Sequence, residues 1–216
     1  MRRQSGILMH ISSLPSRYGI GTLGKAAYEF ADFLQASGQS LWQVLPLGET
    51  GFGDSPYQSF STFAGNPYFV DLEELLEQGL LEQEEMKELG QSGSIDRIDY
   101  GLLFRTRLPL LKKAASRGYG HYGAEEQDFY RENQDWLMDY ALFTALKQHF
   151  PEKPYWEWPV PLRDRPVSYT HLDVYKRQTM TFSICIASKL AAINRPSRCY
   201  NRFRVNFNCQ ICAILL

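Results

Sequence analysis

Cysteine is absent from the first 178 residues of this 216-residue chain, and all four cysteines come later. Long hydrophobic runs are absent too, since no stretch approaches the roughly 18 apolar residues of a membrane helix. The start does not fit a signal peptide, because the apolar run Gly6–Met9 is too short and is followed by His10. A net charge of −1 shows no excess of one sign for a polyanionic partner. These absences favour a cytoplasmic protein with no membrane and no nucleic-acid partner.

Two different compositions share the chain. Over the whole length, 44% hydrophobic and 14% aromatic residues suffice for a packed core. Residues 179–216 contain five basic residues and no acidic one, which leaves −6 for residues 1–178 within the total of −1. Cys209 and Cys212 have zinc-ribbon spacing, but no second such pair and no paired histidine lies at a suitable distance. We therefore predict no metal site.

Two short apolar runs flank a helical pattern near the start of the chain. Gly6–Ile11 and Leu41–Pro46 are nearly continuous apolar stretches, which indicates strands buried on both faces. Between them, Lys25–Ser37 has apolar residues at helical spacing, and Gly38 stands where a C-terminal cap belongs. The apolar stripe consists of Ala26, Phe30, Phe33 and Leu34. The order strand, helix, strand predicts one βαβ unit with a parallel strand pair.

A long polar and aromatic segment, Gly48–Tyr68, follows the second predicted strand. In α/β folds the carboxyl ends of the strands are where ligands usually bind. Helices are predicted beyond it: Asp71 is a good N-cap, Asp99 caps a second helix, and a third spans about 125–149. Pro109 should kink or break the second helix. The stripe that should be buried on the third helix is Phe129, Trp136, Tyr140 and Phe143.

The longest motifs resemble a single family. They are GILMHISSLPSRYGIGTLG (6–24), QSLWQVLPLGETGFGDSPYQSFSTFAGNPYFVDLEEL (39–75), IDYGLL (98–103) and DYALFTALK (139–147). Together they resemble the 4-α-glucanotransferase (amylomaltase) family, over about 165 residues that end at Arg165. The resemblance implies an α/β fold, the start of a (β/α)8 TIM barrel with a mostly helical insertion. Within residues 1–166 the βαβ unit would occupy about 1–69 and the insertion about 70–166, so the barrel domain is expected to be incomplete.

The same resemblance implies a transferase of maltodextrin and starch metabolism. It would move an α-1,4-glucan segment to the 4-hydroxyl of a glucose or maltooligosaccharide acceptor, in a retaining double displacement without a cofactor. The resemblance implies three catalytic carboxylates on later barrel strands, and those strands are not in this chain. No catalytic residue is therefore assigned, and the 216-residue chain is expected to be an inactive N-terminal fragment.

One loop carries the candidate substrate-binding residues, Asp54, Ser55, Tyr57 and Gln58. Tyr57 offers a flat apolar face with a polar end, which suits a pyranose ring. Ser55 and Gln58 offer hydrogen bonds to sugar hydroxyls, and the resemblance places Ser55 and Tyr57 in donor subsites. Asp54 is grouped with them as a binding residue and not as a nucleophile, with capping of the turn as its other interpretation. The alternative for the whole loop is an ordered turn whose Ser55 and Tyr57 satisfy one another.

Several other aromatic residues are weaker candidates for glucan contact. Phe52 and Phe104 resemble positions where some family members carry tyrosines that line a second glucan site. They form a possible second site without the hydroxyls, or else they anchor the core and the loop. His10, at the end of the first predicted strand, is interpreted as a core residue. Trp156 and Trp158 are interpreted as pinning a loop, with sugar stacking as the alternative.

Residues 167–178, VSYTHLDVYKRQ, have an unusual property at the level of DNA. With one codon choice, and the last two bases of the Pro166 codon, they back-translate to a sequence that is its own reverse complement. It resembles two transposase end sequences joined head to head, so we interpret 167–178 as an adapter-like junction and 179–216 as an unrelated, disordered tail. Two functional interpretations remain open: a fragment of a glucanotransferase, or a non-catalytic product that binds glucan or has no function.

Overall fold

The computed structural model describes residues 3–51, 53–87, 89, 96–118 and 123–164, together with the backbone of 204–206 and 212–215. Its strands are β1 (Gly6–Leu8), β2 (Leu41–Val44), β3 (Arg204–Asn206) and β4 (Cys212–Leu215). Its helices are α1 (Lys25–Ala36), α2 (Leu72–Glu77), α3 (Gln83–Met86), α4 (Tyr100–Gly118), α5 (Gly123–His149) and α6 (Val160–Arg163). Short 3₁₀ turns lie at Ile11–Ser13, Pro67–Phe69 and Tyr155–Glu157.

The predicted βαβ unit is confirmed, because β1 and β2 pair in parallel with Ile7 opposite Trp42 and α1 between them. Trp42 and Val44 are fully buried on the inner face of β2, and the Trp42 indole donates to the Met9 carbonyl at 2.7 Å. The expectation that β1 is buried on both faces is wrong, since Ile7 is 41% and Leu8 is 60% exposed. The cause is the position of β1, which is the first strand in the sheet order and, among the strands that the structure describes, pairs only with β2.

Helix α1 ends as its sequence predicts, but it presents a different stripe to the core. Gly38 has a φ of 73°, its N–H bonds to Gln35, and the next N–H bonds to Leu34. This is the Schellman arrangement that glycine permits without strain. The buried side chains of α1 are Ala27, Ala31 and Leu34. Of the predicted stripe, Phe33 is exposed and Phe30 is partly buried against Trp42.

The expectation of a disordered tail does not hold for its two described segments. β4 pairs antiparallel with β2 along its whole length, from Leu41 opposite Leu215 to Val44 opposite Cys212. β3 pairs antiparallel with β4, so the sheet order is β1-β2-β4-β3. The physical reason lies in β2, whose second edge would otherwise leave its backbone N–H and C=O groups unpaired.

The predicted helical region is present, and its local capping signals are satisfied. Asp71 Oδ1 accepts from Glu74 N at 3.0 Å, and Asp99 Oδ1 accepts from Leu102 N at 2.9 Å. α4 is not broken at Pro109, which is exposed and lies within one continuous helix. The short α3, which has a capping box between Glu82 and Glu85, was not predicted.

Two hydrophobic clusters meet along α4. One gathers α2, α3 and α4, and the other gathers α1, β2 and the 3₁₀ turn at Pro67–Phe69. Leu108 packs against both clusters. The helical region therefore rests directly on the βαβ unit. No helix in the described part of the chain is long and apolar enough to cross a membrane.

Candidate functional site

The segment from residue 48 to residue 65, called here the 48–65 loop, leaves the carboxyl end of β2 and returns to its own start. Gly48 and Gly65 form an antiparallel bridge, and Asn66 N donates to the Leu47 carbonyl at 2.8 Å. Asn66 is buried, and its side chain accepts from Tyr68 N at 3.0 Å. A Cβ at Gly48 would lie 2.6 Å from the Ser59 hydroxyl, so a larger residue would force the two sides of the loop apart. The base of the loop is thus fixed by backbone bonds.

The tip of the loop is built from two successive turns. Gly53 and Asp54 have φ values of 94° and 55°, and Asp54 N donates to the Gly51 carbonyl at 3.1 Å. Gln58 N donates to the Ser55 carbonyl at 3.1 Å. Left-handed backbone is natural for glycine and tolerated by aspartate. The chain therefore makes two turns within the eight residues from Gly51 to Gln58.

The predicted binding residues all lie on this tip. Tyr57 is 66% exposed, and its backbone N–H contacts the Ser55 hydroxyl at 3.4 Å. Asp54 and Gln58 are exposed, and Ser55 is half-buried. Partial desolvation raises the pKa of the Asp54 carboxyl above its ordinary value. The Ser55 contact involves only the backbone of Tyr57, so the tyrosine ring stays available as a platform.

A buried polar cluster holds the segment that follows the loop. Arg107 on α4 is completely buried, and its guanidinium donates to the Val70 carbonyl at 2.5 Å. The Thr22 hydroxyl donates to the Asp71 carboxylate, and a Cβ at Gly24 would lie 2.1 Å from that carboxylate. Burial lowers the pKa of Arg107 to about 10, and the nearby Asp71 charge opposes this shift. The cluster ties the β1–α1 connection, the end of the loop and α4 together.

Arg107 is a residue that sequence reasoning missed. Its Nε and Nη1 atoms have no hydrogen-bond partner within the part of the chain that the structure describes. A signal for it exists, because it falls four residues after Leu103 and three before Leu110 in the buried stripe of α4. A basic residue inside an apolar helical stripe indicates a specific buried acceptor.

The other predicted residues do not join the tip. His10 lies edge-on to Phe69 at 5.3 Å, and burial lowers its pKa to about 4, in line with a core role. Trp158 is buried and donates to the Lys153 carbonyl at 3.2 Å, so it pins its loop as expected. Trp156 does not pin the loop, because its side chain is exposed and lies beside Tyr155.

Of the two residues of the possible second glucan site, the structure describes only Phe104. Phe104 is 63% exposed on α4, which removes the alternative that it anchors the core. Phe52 lies outside the described residues. Within those residues, no group of three or more His, Cys, Asp or Glu side chains is placed to hold a metal ion.

The parallel strand pair with α1 between its strands defines an α/β protein, and the 48–65 loop lies at the carboxyl end of β2. A family model matches residues 9–187, and the chain belongs to that family, the 4-alpha-glucanotransferases. The match continues past Arg165, and the boundary at that residue stays a prediction. It also includes residues 167–178, which we interpreted as a junction.

Curated relatives and a solved structure agree with the family. The chain is 47% identical over 159 residues to the 4-alpha-glucanotransferase of Streptococcus pneumoniae, covering 73% of this chain and 32% of the relative. It is 47% identical over 168 residues to the Thermus thermophilus 4-alpha-glucanotransferase, covering 76% and 32%. The structure of amylomaltase from Streptococcus agalactiae in complex with acarbose superposes with a TM-score of 0.80 at 36% identity, covering 88% of this chain and 39% of that one. The chain thus spans about a third of the length of the curated relatives it matches.

Proposed function

We propose that this chain supplies a glucan-binding loop of a 4-α-glucanotransferase. Tyr57 would stack on a glucose ring, while Asp54, Ser55 and Gln58 would hydrogen-bond to sugar hydroxyls. The observation that carries the proposal is the Tyr57 ring, which is 66% exposed on a loop whose base is fixed. Exposure of a large aromatic ring to water is unfavourable, and the apolar face of a sugar ring can cover it by stacking.

The reaction proposed for the whole protein is the one that the family resemblance implies. It transfers an α-1,4-glucan segment to the 4-hydroxyl of a glucose or maltooligosaccharide, with retention and in the cytoplasm. We propose that β1, α1 and β2 open a (β/α)8 barrel, with residues 70–166 as its helical insertion. The parallel pairing of β1 and β2 supports this proposal. Phe104 is proposed as part of a second glucan contact, and its exposure supports that role.

Binding is tested by titrating the 216-residue chain with maltoheptaose and following tryptophan fluorescence. Trp136 stacks on Phe63 of the loop at 5.6 Å, so a glucan at the tip should change its emission. We expect a saturable change at millimolar maltoheptaose and none with cellohexaose, a matched glucan with β-1,4 linkages. No change with maltoheptaose, or equal changes with both sugars, would contradict the proposal.

Transfer is tested separately with maltotriose as the only substrate. The catalytic carboxylates that the resemblance implies are outside the motifs found here, so we expect the 216-residue chain to leave maltotriose unchanged. Glucose and longer oligosaccharides in a chromatogram of the products would show that this expectation is wrong.

A further inference from the structure

The 48–65 loop is held on one side by helix α5. Glu49, next to the bridge at the loop base, accepts a hydrogen bond from the Tyr140 hydroxyl at 2.5 Å across 91 residues of sequence. Both side chains are partly buried. A hydrogen bond to a carboxylate is stronger and more directional than one between neutral groups, because the acceptor carries a charge.

Two aromatic contacts lie on either side of this hydrogen bond along α5. Phe63 stacks on Trp136 with ring centroids 5.6 Å apart, and Phe60 meets Phe143 at 5.8 Å. The Lys147 ammonium lies 4.9 Å from the centroid of the Phe60 ring. Positions 136, 140, 143 and 147 are three or four residues apart, so they form one face of the helix. This face contacts the loop, while Leu142 and Leu146 of α5 pack with Trp158 in a separate hydrophobic cluster.

Burial and neighbouring charges shift the pKa values of both Glu49 and Tyr140. Burial raises the pKa of the Glu49 carboxyl, while the Tyr140 hydrogen bond and the Lys147 charge oppose that shift. Burial and the Glu49 carboxylate raise the pKa of Tyr140. The Tyr140 hydroxyl therefore stays protonated and remains a donor to Glu49 at neutral pH.

We propose that Glu49 and Tyr140 are a positioning pair, which locks the register of the 48–65 loop against α5 and so keeps the Tyr57 platform in place. The aromatic contacts alone would fix the distance between loop and helix, but flat apolar rings slide past one another at little cost. A single directional bond next to the loop base removes that freedom. The part that concerns glucan rests on the proposed function; the fixing of the loop does not.

Hydrogen exchange of the full 216-residue chain, read by mass spectrometry on peptides within 48–65, tests the fixing of the loop without any glucan. Tyr140→Phe keeps the ring and removes the hydroxyl, and we expect exchange in the loop to become about 10 to 150 times faster, the range for loss of one hydrogen bond to a charged group. Tyr130→Phe makes the same change ten residues earlier on the same helix and serves as the control. Equal exchange rates in Tyr140→Phe and Tyr130→Phe would overturn the proposal.

Glu49→Gln and Glu49→Ala separate a specific bond from mere packing. The glutamine keeps a carbonyl acceptor for Tyr140, so it should restore most of the protection, whereas the alanine should match Tyr140→Phe. Loss of protection in glutamine and alanine alike would contradict a role for the hydrogen bond as such. A general structural defect would lower the melting temperature as well as the protection of the loop. The comparison therefore uses variants whose melting temperature equals that of the unmodified chain.

Maltoheptaose binding by the same variants distinguishes the two proposals. If the unmodified chain binds and Tyr140→Phe binds several times more weakly, both the site and its positioning are supported. If the unmodified chain fails to bind while loop exchange still rises in Tyr140→Phe, the proposed function fails and the positioning pair stands. If Tyr140→Phe binds as well as the unmodified chain, the pair does not position the platform.

Discussion

The base and the tip of the 48–65 loop are built in opposite ways. At the base, the Gly48–Gly65 bridge and the buried Asn66 close the chain on itself, and Arg107 holds the neighbouring Val70 carbonyl. At the tip, Tyr57 and Gln58 are exposed, and the backbone hydrogen bonds of Asp54 and Gln58 are local turn contacts. The interactions that stabilise the loop therefore lie mainly at its base, and the residues that would contact a ligand contribute little to them.

This difference follows a physical rule about binding loops. Binding residues sit on surface segments that a rigid scaffold positions, because a buried loop would leave its backbone polar groups unsatisfied. It follows that changes at the base should alter the free energy of unfolding, while changes at the tip should alter ligand affinity. Three substitutions or conditions test this, in decreasing order of their expected effect on stability.

The largest effect is expected from Arg107→Ala. The substitution leaves the Val70 carbonyl unpaired and opens a cavity where a fully buried side chain had been. Both are costly, and we expect a loss of about 3 kcal/mol in the free energy of unfolding. Urea denaturation followed by circular dichroism measures it.

Arg105→Ala is the matched control, since Arg105 lies on the same helix and is exposed. It should change the free energy of unfolding by less than about 0.5 kcal/mol. If the two variants were equally stable, the buried cluster would not be what fixes the base.

An intermediate effect is expected from pH, through His10. Burial lowers its pKa to about 4, whereas an unfolded histidine titrates near pH 6.5. Because the unfolded chain takes up the proton first, the stability associated with neutral His10 is complete above about pH 6.5 and is lost as the pH falls toward 4. Since His10 is only partly buried, we expect about 1–2 kcal/mol less stability at pH 5 than at pH 7.

His10→Gln isolates this contribution, because other groups titrate in the same range. Urea midpoints at pH 5 and pH 7 should differ less in His10→Gln than in the unmodified chain. An identical difference in both would mean that His10 is as accessible when folded as when unfolded, and that its packing on Phe69 is not tight.

Much of the local structure was predictable, because the signals for it are local. The apolar runs around Leu8 and Val44, the glycine at position 38 and the cap residues Asp71 and Asp99 all act within a few residues of themselves. These features place the βαβ unit and the starts and ends of the helices. The candidate residues of the tip could be selected from sequence because Tyr57 and its polar neighbours are a contiguous group, and their role in binding stays a prediction.

The long-range contacts were not predictable, because each depends on where distant segments meet. Nothing near Glu49 signals Tyr140, and the predicted stripe of α5 was taken for its core face. In the structure Phe129 of the predicted stripe is buried, together with Leu137, Ala141, Leu142, Ala145 and Leu146, which the stripe did not include. Trp136, Tyr140 and Phe143 of the predicted stripe instead contact the loop. A wide apolar stripe on a helix can serve two surfaces, and periodicity alone does not divide it.

The smallest effect on stability is expected from Tyr57→Ala at the tip. The Tyr57 ring is mostly exposed, so its removal should change the free energy of unfolding by less than about 0.5 kcal/mol. The same change removes the proposed sugar platform, and we expect about tenfold weaker binding of maltoheptaose, in line with the loss of one aromatic stacking contact. Tyr57→Phe keeps the ring and should retain most of the affinity, which separates stacking from hydrogen bonding by the hydroxyl. If Tyr57→Ala destabilised the chain as much as Arg107→Ala, the tip would be a structural element, and the division between a stabilising base and a binding tip would be wrong.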